Sequence, residues 1–189
     1  MYVRDFFDVH ALSPYHPHMT FGTHMVVATA VALPVLHNPA AAFAVGIASH
    51  YIVDAIPHWD WPLKSLEKKL GESHAASAVN LSVGAISIDM IRLAIDMSIG
   101  LIALSSVLYV GGASWSIVAV LLAMLGGILP DMLQFIYFAT RMKLLSHHQN
   151  FHDAVHTDWK IPHHQYVRGV LLQAPVFLIP LFFIFFAAA

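Results

Sequence analysis

Residues 114–140 read SWSIVAVLLAMLGGILPDMLQFIYFAT. This run decides the fold. Its 27 residues hold one charged side chain, Asp131. A bilayer core about 30 Å thick needs about 20 mostly apolar helical residues, with a range of about 17–25, and this run is long enough. Gly126 and Gly127 permit close approach of a neighbouring helix, and Pro130 interrupts the backbone hydrogen-bond ladder. An acid placed in hydrocarbon costs at least ~2.5–3.5 kcal/mol. No cation stands at helical spacing from Asp131, so a ligand role suits it better than an internal ion pair.

Four more apolar stretches accompany it. Met19–Leu36 is closed by Pro34 and the His37-Asn38-Pro39 turn, and Ala40–Ile56 is ended by Pro57. Ala78–Val110 is long enough to tilt or to project beyond the bilayer. Tyr166–Ala189 carries Pro175 and Pro180 as kink positions. The expected fold is an all-α polytopic membrane bundle of about five transmembrane helices, the first two short enough to be partly re-entrant. It forms one integral membrane domain over 1–189. Residues 1–18 are an amino-terminal segment, and 141–165 form a His-rich cytoplasmic loop.

Composition agrees. Hydrophobic residues make up 58% and charged residues 11%, with a mean hydropathy of +0.69. A soluble domain carries about 25% charged residues, so this chain lacks the charge to coat a water-exposed surface. The same balance excludes disorder. Nine Lys and Arg against eleven Asp and Glu give a net charge of −2, without the basic face that nucleic acid requires. The absence of cysteine removes disulfides, thiolate metal sites and cysteine nucleophiles. Histidines number 14, more than Lys and Arg together. Arg4, Asp5 and Asp8 precede no clean apolar core, so the amino terminus is not read as a signal peptide.

Orientation follows the Lys and Arg of the short loops. Lys64, Lys68 and Lys69 follow the second stretch, and Arg141, Lys143 and Lys160 follow the fourth; the turns at 37–39 and 111–113 carry none. Five spans then place the amino terminus inside and the carboxyl terminus outside. By this topology His24, His50, Asp54, His58, Asp60, Asp89, Asp131 and the 147–156 histidines gather at the cytoplasmic face. His37 falls on the opposite side and outside any site.

The strongest local pattern is His50-Tyr-Ile-Val-Asp54-Ala-Ile-Pro-His58-Trp-Asp60. His50 and Asp54 stand at i, i+4 and share a helix face. Pro57 ends the helix, so His58 and Asp60 can fold back over it. Imidazole nitrogen and carboxylate oxygen are the usual cysteine-free ligands for zinc and related divalent ions. One His–Asp pair alone also serves as a hydrogen-bonded cap; two more ligand types within six residues tip the reading towards metal. The second pattern is His147-His148-Gln-Asn-Phe-His152-Asp153-Ala-Val-His156, where His152 and His156 again stand at i, i+4. A solvated, weakly metal-binding loop is the alternative there.

Asp89, Arg92 and Asp96 stand at i, i+3 and i+7, so this stripe can pair with itself. His24 is a helix cap, an interface residue or a ligand. His10, His16 and His18 lie in a Pro-interrupted segment suited to a lid or to no role, His163 and His164 read as surface, and His74 is unassigned. Gly46–Asp54 and Gly126–Asp131 echo one another as small-residue approaches to an aspartate. No Gly-x-Ser-x-Gly elbow, phosphate-binding loop or His-Glu-x-x-His motif occurs.

At Gly22-Thr23-His24, Ser49-His50-Tyr-Ile-Val-Asp54, Leu129-Pro130-Asp131 and His148–His156 the sequence resembles the membrane-bound metal-dependent hydrolases of bacterial and archaeal inner membranes. About twenty residues carry the resemblance. One departure is order: in that family the Pro-Asp and paired-histidine elements precede the Ser-His-x-x-x-Asp element, and here they follow it. The activity ascribed to the family rests on analogy with zinc-dependent phospholipase C, an all-helical fold with a multinuclear site. The resemblance implies His24, His50, Asp54, Asp131, His152 and His156 as metal ligands.

The leading expectation is a hydrolase of phosphoesters, with lipid the favoured substrate, in the cytoplasmic membrane of a prokaryote. It would use water activated by a divalent metal, zinc before manganese or another ion, with room for more than one ion. His58 or Asp60 would orient water or act as general acid or base. Asp153 and Asp89 are candidate acceptors for the outer imidazole protons. The alternatives are a divalent-cation transporter and a non-catalytic metal-binding or haem-binding membrane protein. A transport pathway needs polar groups across the whole thickness, and the outer half here is nearly pure Leu, Ile, Val, Ala and Phe. Haem would need axial histidines deep on facing spans, and these lie near one edge.

Overall fold

The computed structural model describes residues 18–56, 61–62, 64–66, 82–111, 115–140, 142–156 and 166–189. Six α-helices dominate them: α1 (Phe21–Ala32), α2 (Pro39–Asp54), α3 (Val83–Gly111), α4 (Ile117–Thr140), α5 (Ser146–Val155) and α6 (Tyr166–Ala188). Three 3₁₀ turns, at Leu33–Val35, Lys64–Leu66 and Lys143–Leu145, sit at the joints. One short antiparallel ladder pairs β1 (His18–Met19) with β2 (Trp61–Pro62). The protein is thus all-helical in character, as its apolar runs require.

Three helices are long and apolar enough to cross a membrane: Val83–Val110, Ile117–Thr140 and Val167–Ala188. The first two stretches are shorter. α1 has 12 residues and α2 has 16, which at 1.5 Å per residue span only about 18 and 24 Å. Pro34 sets α1's limit, since the chain passes there into a 3₁₀ turn. Asn38 then starts α2 by accepting the Ala40 and Ala41 N–H groups at 3.1 and 3.2 Å, with Pro39 at the first position.

α1 is the centre of the bundle. Nine of its 12 residues are buried, and it packs against α2, α3, α4 and α6. Thr20 at its N-cap makes no side-chain cap bond; Asp96 on α3 supplies one, its Oδ2 accepting the Gly22 N–H at 2.8 Å. Asp96 thus reaches beyond the stripe on its own helix. Asp89 pairs with Arg92 at 4.0 Å, as the spacing indicated, and it also accepts the Lys64 and Ser65 N–H groups at 2.8 and 2.7 Å. Both acids satisfy backbone donors of other elements, which the spacing within one helix does not reveal. α3 and α6 carry the most outward apolar surface, including Ile91, Ile102, Leu171 and Phe186.

α2 and α4 form the tightest crossing. A Cβ on Gly126 would run into the Phe43 carbonyl oxygen, and one on Gly127 would lie 2.7 Å from Ala28 Cβ and 2.8 Å from the His24 carbonyl oxygen. The glycine pair thus draws α4 against both α2 and α1, as the sequence indicated. The two echoed segments meet here. Gly46 packs on Ala123; one turn on, His50 meets Gly127; one turn further, Asp54 and Asp131 enter the same cluster.

Candidate metal centre

The crossing of α2 and α4 fixes three of four key side chains. Helical spacing puts His50 and Asp54 on one face, with His50 Nε2 3.1 Å from Asp54 Oδ2. Asp131 enters from α4, 3.7 Å from His50 Nε2 through Oδ1. α5 folds back and adds His152, whose Nε2 lies 3.3 Å from His50 Nε2, 3.2 Å from Asp54 Oδ2 and 3.4 Å from Asp131 Oδ1. One ligand atom from each of these residues lies within 4.8 Å of the other three. All four side chains are buried, His50 at 0% exposure and His152 at 1%.

These separations have a chemical meaning. Bonds of about 2.0–2.2 Å to a tetrahedral ion place neighbouring ligand atoms about 3.4 Å apart. The five distances above, 3.1–3.7 Å, straddle that value. Without an ion, two carboxylates this close would repel each other in a low-dielectric site. Two carboxylates and two neutral imidazoles carry a charge of −2, which a divalent cation cancels. The group His50, Asp54, Asp131 and His152 fits a metal on donor type, distance and charge.

The surroundings orient these donors. His50 Nδ1 lies 2.7 Å from the Gly127 carbonyl oxygen. A carbonyl can only accept, so Nδ1 carries the proton and Nε2 presents a lone pair to the cluster. Asp54 Oδ2 is buried and has no hydrogen bond of good geometry despite the two imidazole nitrogens beside it. That is the environment of an oxygen directed at a cation rather than at a proton.

His24 joins the cluster from the side. Its ring stacks on His50 at a centroid distance of 4.3 Å, and its Nε2 lies 3.4 Å from the other Asp54 oxygen, Oδ1. It therefore steadies the carboxylate from outside the group of four. His156 is not in that group either. α5 ends at Val155, and His156 adopts an extended backbone at the cap. Its N–H still bonds the His152 carbonyl at 3.0 Å and its ring lies 5.9 Å from that of His152, so it flanks the group of four. His58 and Asp60 lie outside the described residues, as do His10, His16, His74, His163 and His164.

The expected outer acceptors are engaged elsewhere. Asp153 is exposed and accepts the Gln149 amide at 2.8 Å, and Asp89 holds the 64–66 turn. Three contributors escaped the sequence reading. Gly127 acts through its backbone, which no side-chain motif reports. Gln134, buried on α4, lies 3.2 Å from His152 Nδ1. The burial argument that singled out Asp131 applies to it too, since it is a long polar side chain in the same apolar run. Tyr51 bonds His148 Nε2 through its hydroxyl at 3.2 Å, beside the centre.

His148 and His152 on α5 have opposite electrostatics. Burial opposes a charge on His152, but the Asp131 and Asp54 carboxylates beside it outweigh that and raise its pKa to about 10. Burial lowers the pKa of His148, and the neighbouring His152 and His50 push the same way. His37, exposed in the turn before α2, is remote from the centre at that helix's far end. Compared with known proteins, the chain matches no family model, no curated protein and no solved structure.

Proposed function

We propose that this protein is a membrane-embedded, divalent-metal-dependent hydrolase of phosphoesters, with membrane lipid as its favoured substrate. The observation that carries the reading is the convergence of His50, Asp54, Asp131 and His152 from three helices, with ligand-atom distances matched to one small cation. A bound divalent ion would lower the pKa of a coordinated water towards about 7 and stabilise charge on a phosphoryl oxygen. In this reading α2, α4 and α5 hold the donors, Gly127 sets the His50 tautomer, and His24 steadies Asp54. Zinc suits the mixed nitrogen and oxygen set, and manganese is the next choice. His58 and Asp60 remain the proposed groups for handling water.

The proposed setting is the cytoplasmic membrane of a prokaryote, amino terminus inside, with the centre at the inner leaflet. α3, α4 and α6 would span it, and α1 and α2 would complete a five-stretch bundle. The Lys and Arg distribution and the resemblance to membrane-bound metal-dependent hydrolases support this placement. A second reading, a metal-binding protein without catalysis, is favoured by the closure of the site. Four protein ligands complete a tetrahedron, the arrangement typical of structural ions, whereas catalytic ions keep a position open.

One experiment separates the two. The detergent-purified chain is assayed for bound metal by elemental analysis and for turnover of a chromogenic phosphodiester and of phospholipid vesicles with zinc, manganese, cobalt and magnesium. The hydrolase reading expects turnover that chelation and Asp54→Ala abolish. Bound metal with no turnover under any ion supports the second reading. No bound metal overturns both.

A further inference from the structure

Gln134 stands one helical turn beyond Asp131 on α4 and is buried at 2% exposure. The two residues hold the His152 ring from both ends. Asp131 Oδ1 lies 3.4 Å from Nε2, and the Gln134 amide nitrogen lies 3.2 Å from Nδ1. A carboxamide has a donor end and an acceptor end, exchanged by a half-turn about its last bond. An imidazole that binds a metal through Nε2 must keep its proton on Nδ1, and that proton needs an acceptor.

We propose that Gln134 is the positioning residue of the metal centre: with its carboxamide given that half-turn when the ion binds, its oxygen replaces its nitrogen opposite Nδ1, accepts the His152 Nδ1 proton and aims a bare Nε2 at the ion. The inference rests on the metal-binding reading and deepens it. α4 then supplies one ligand and both orienting acceptors. The Gly127 carbonyl holds His50 and the Gln134 amide holds His152, two turns apart, with Asp131 between them. Both acceptors are neutral. Two carboxylates already balance a divalent ion, and a third buried carboxylate would leave the centre with excess negative charge. A glutamine explains both the hydrogen bond and the charge balance. It also explains why an amide is tolerated in an apolar helix: its end is bonded inside the bundle rather than exposed to lipid.

The test uses the full chain and cobalt, a zinc substitute whose visible absorption reports coordination geometry. Wild type, Gln134→Met and Gln134→Glu are titrated with cobalt against a chelator. Gln134→Met keeps the volume and loses the acceptor. It should weaken binding by about 10–100-fold, the usual effect of losing an outer-shell partner, and shift the absorption band. Gln134→Glu restores an acceptor and should bind within about tenfold of wild type. Unchanged affinity and spectrum in Gln134→Met overturn the inference and leave the metal reading intact. Wild type that binds no cobalt overturns both. If Gln134→Met fails to fold, nitrogen-15 histidine spectra of the loaded wild type decide. A proton on His152 Nδ1 is expected, and a metal on Nδ1 would sink the proposal.

Discussion

The Nε2 atoms of His50 and His152 lie 3.3 Å apart although 102 positions separate the residues in sequence. Both point at the same two carboxylates, Asp54 and Asp131. Two imidazole nitrogens at that distance cannot both carry protons directed at each other, and a cation between them removes the conflict. α5 meets the bundle there through His152, whose ring has four partners, with Tyr51 holding His148 and Phe151 alongside. The centre and the docking of α5 are therefore one feature.

Metal content should follow this geometry. Wild type is expected to hold a divalent ion after purification, and His50→Ala and His152→Ala to lose it. Each should weaken binding by more than the ~10–100-fold typical of an outer-shell change. His156→Ala, by contrast, should retain the wild-type content. Elemental analysis of the four proteins checks this, and equal metal in all of them removes the ligand assignment.

Acidity should act through His152, whose pKa stands at about 10 without metal. The raised value means its charged form stabilises the metal-free fold fully below the unfolded value of 6.5 and ceases to do so as pH climbs through about 10. Metal must displace that proton. Binding should therefore tighten steadily from pH 7 towards 10 and release about one proton per ion near neutrality. Calorimetry in buffers of different ionisation enthalpy counts the proton. A flat affinity profile across this range contradicts the pairing of His152 with the two aspartates.

The glycine contact between α2 and α4 should be intolerant of bulk. Gly126→Ala places a methyl against the Phe43 carbonyl, backbone that cannot swing aside. Overpacking of this kind costs about 1–3 kcal/mol, and by parting the helices it should also loosen the metal. Thermal melts in detergent with parallel metal analysis test both effects. Gly84→Ala, where a new methyl meets nothing within 4 Å, is the control.

Asp96→Ala should behave differently from a ligand variant. Losing a helix cap costs about 0.5–2 kcal/mol. The expected result is a lower melting temperature with metal content preserved, because Asp96 meets α1 at Gly22 and not at the cluster. Loss of metal with no change in melting would reverse that assignment.

Membrane orientation can be read by cysteine labelling, since the chain has no cysteine of its own. Lys64 and Met142 are exposed. Lys64→Cys and Met142→Cys should both react with an impermeant reagent only from the cytoplasmic side. Reaction of either from outside overturns the charge-based topology.

What the sequence disclosed was local. The spacing of His50 and Asp54, the isolation of Asp131 in an apolar run and the stop at Pro34 all follow from rules acting within one helix. The same rules set His156 beside His152, where its ring lies at 5.9 Å, but could not show that it flanks the group of four. They found the Asp89–Arg92 pair within α3, but not the backbone donors that Asp89 and Asp96 also satisfy, 24 to 74 residues away. Gln134 and the Gly127 carbonyl gain their roles only once α2, α4 and α5 are packed. Donor identity was legible; the partner of each donor depended on tertiary contact.

The cap that Asp96 lends to α1 also bears on biogenesis. The carboxylate that accepts the Gly22 N–H is made 74 residues after it. Without α3 that amide lacks this acceptor, and an apolar surrounding would sharpen the cost. The seating of α1 at the heart of the bundle is thus coupled to the arrival of α3.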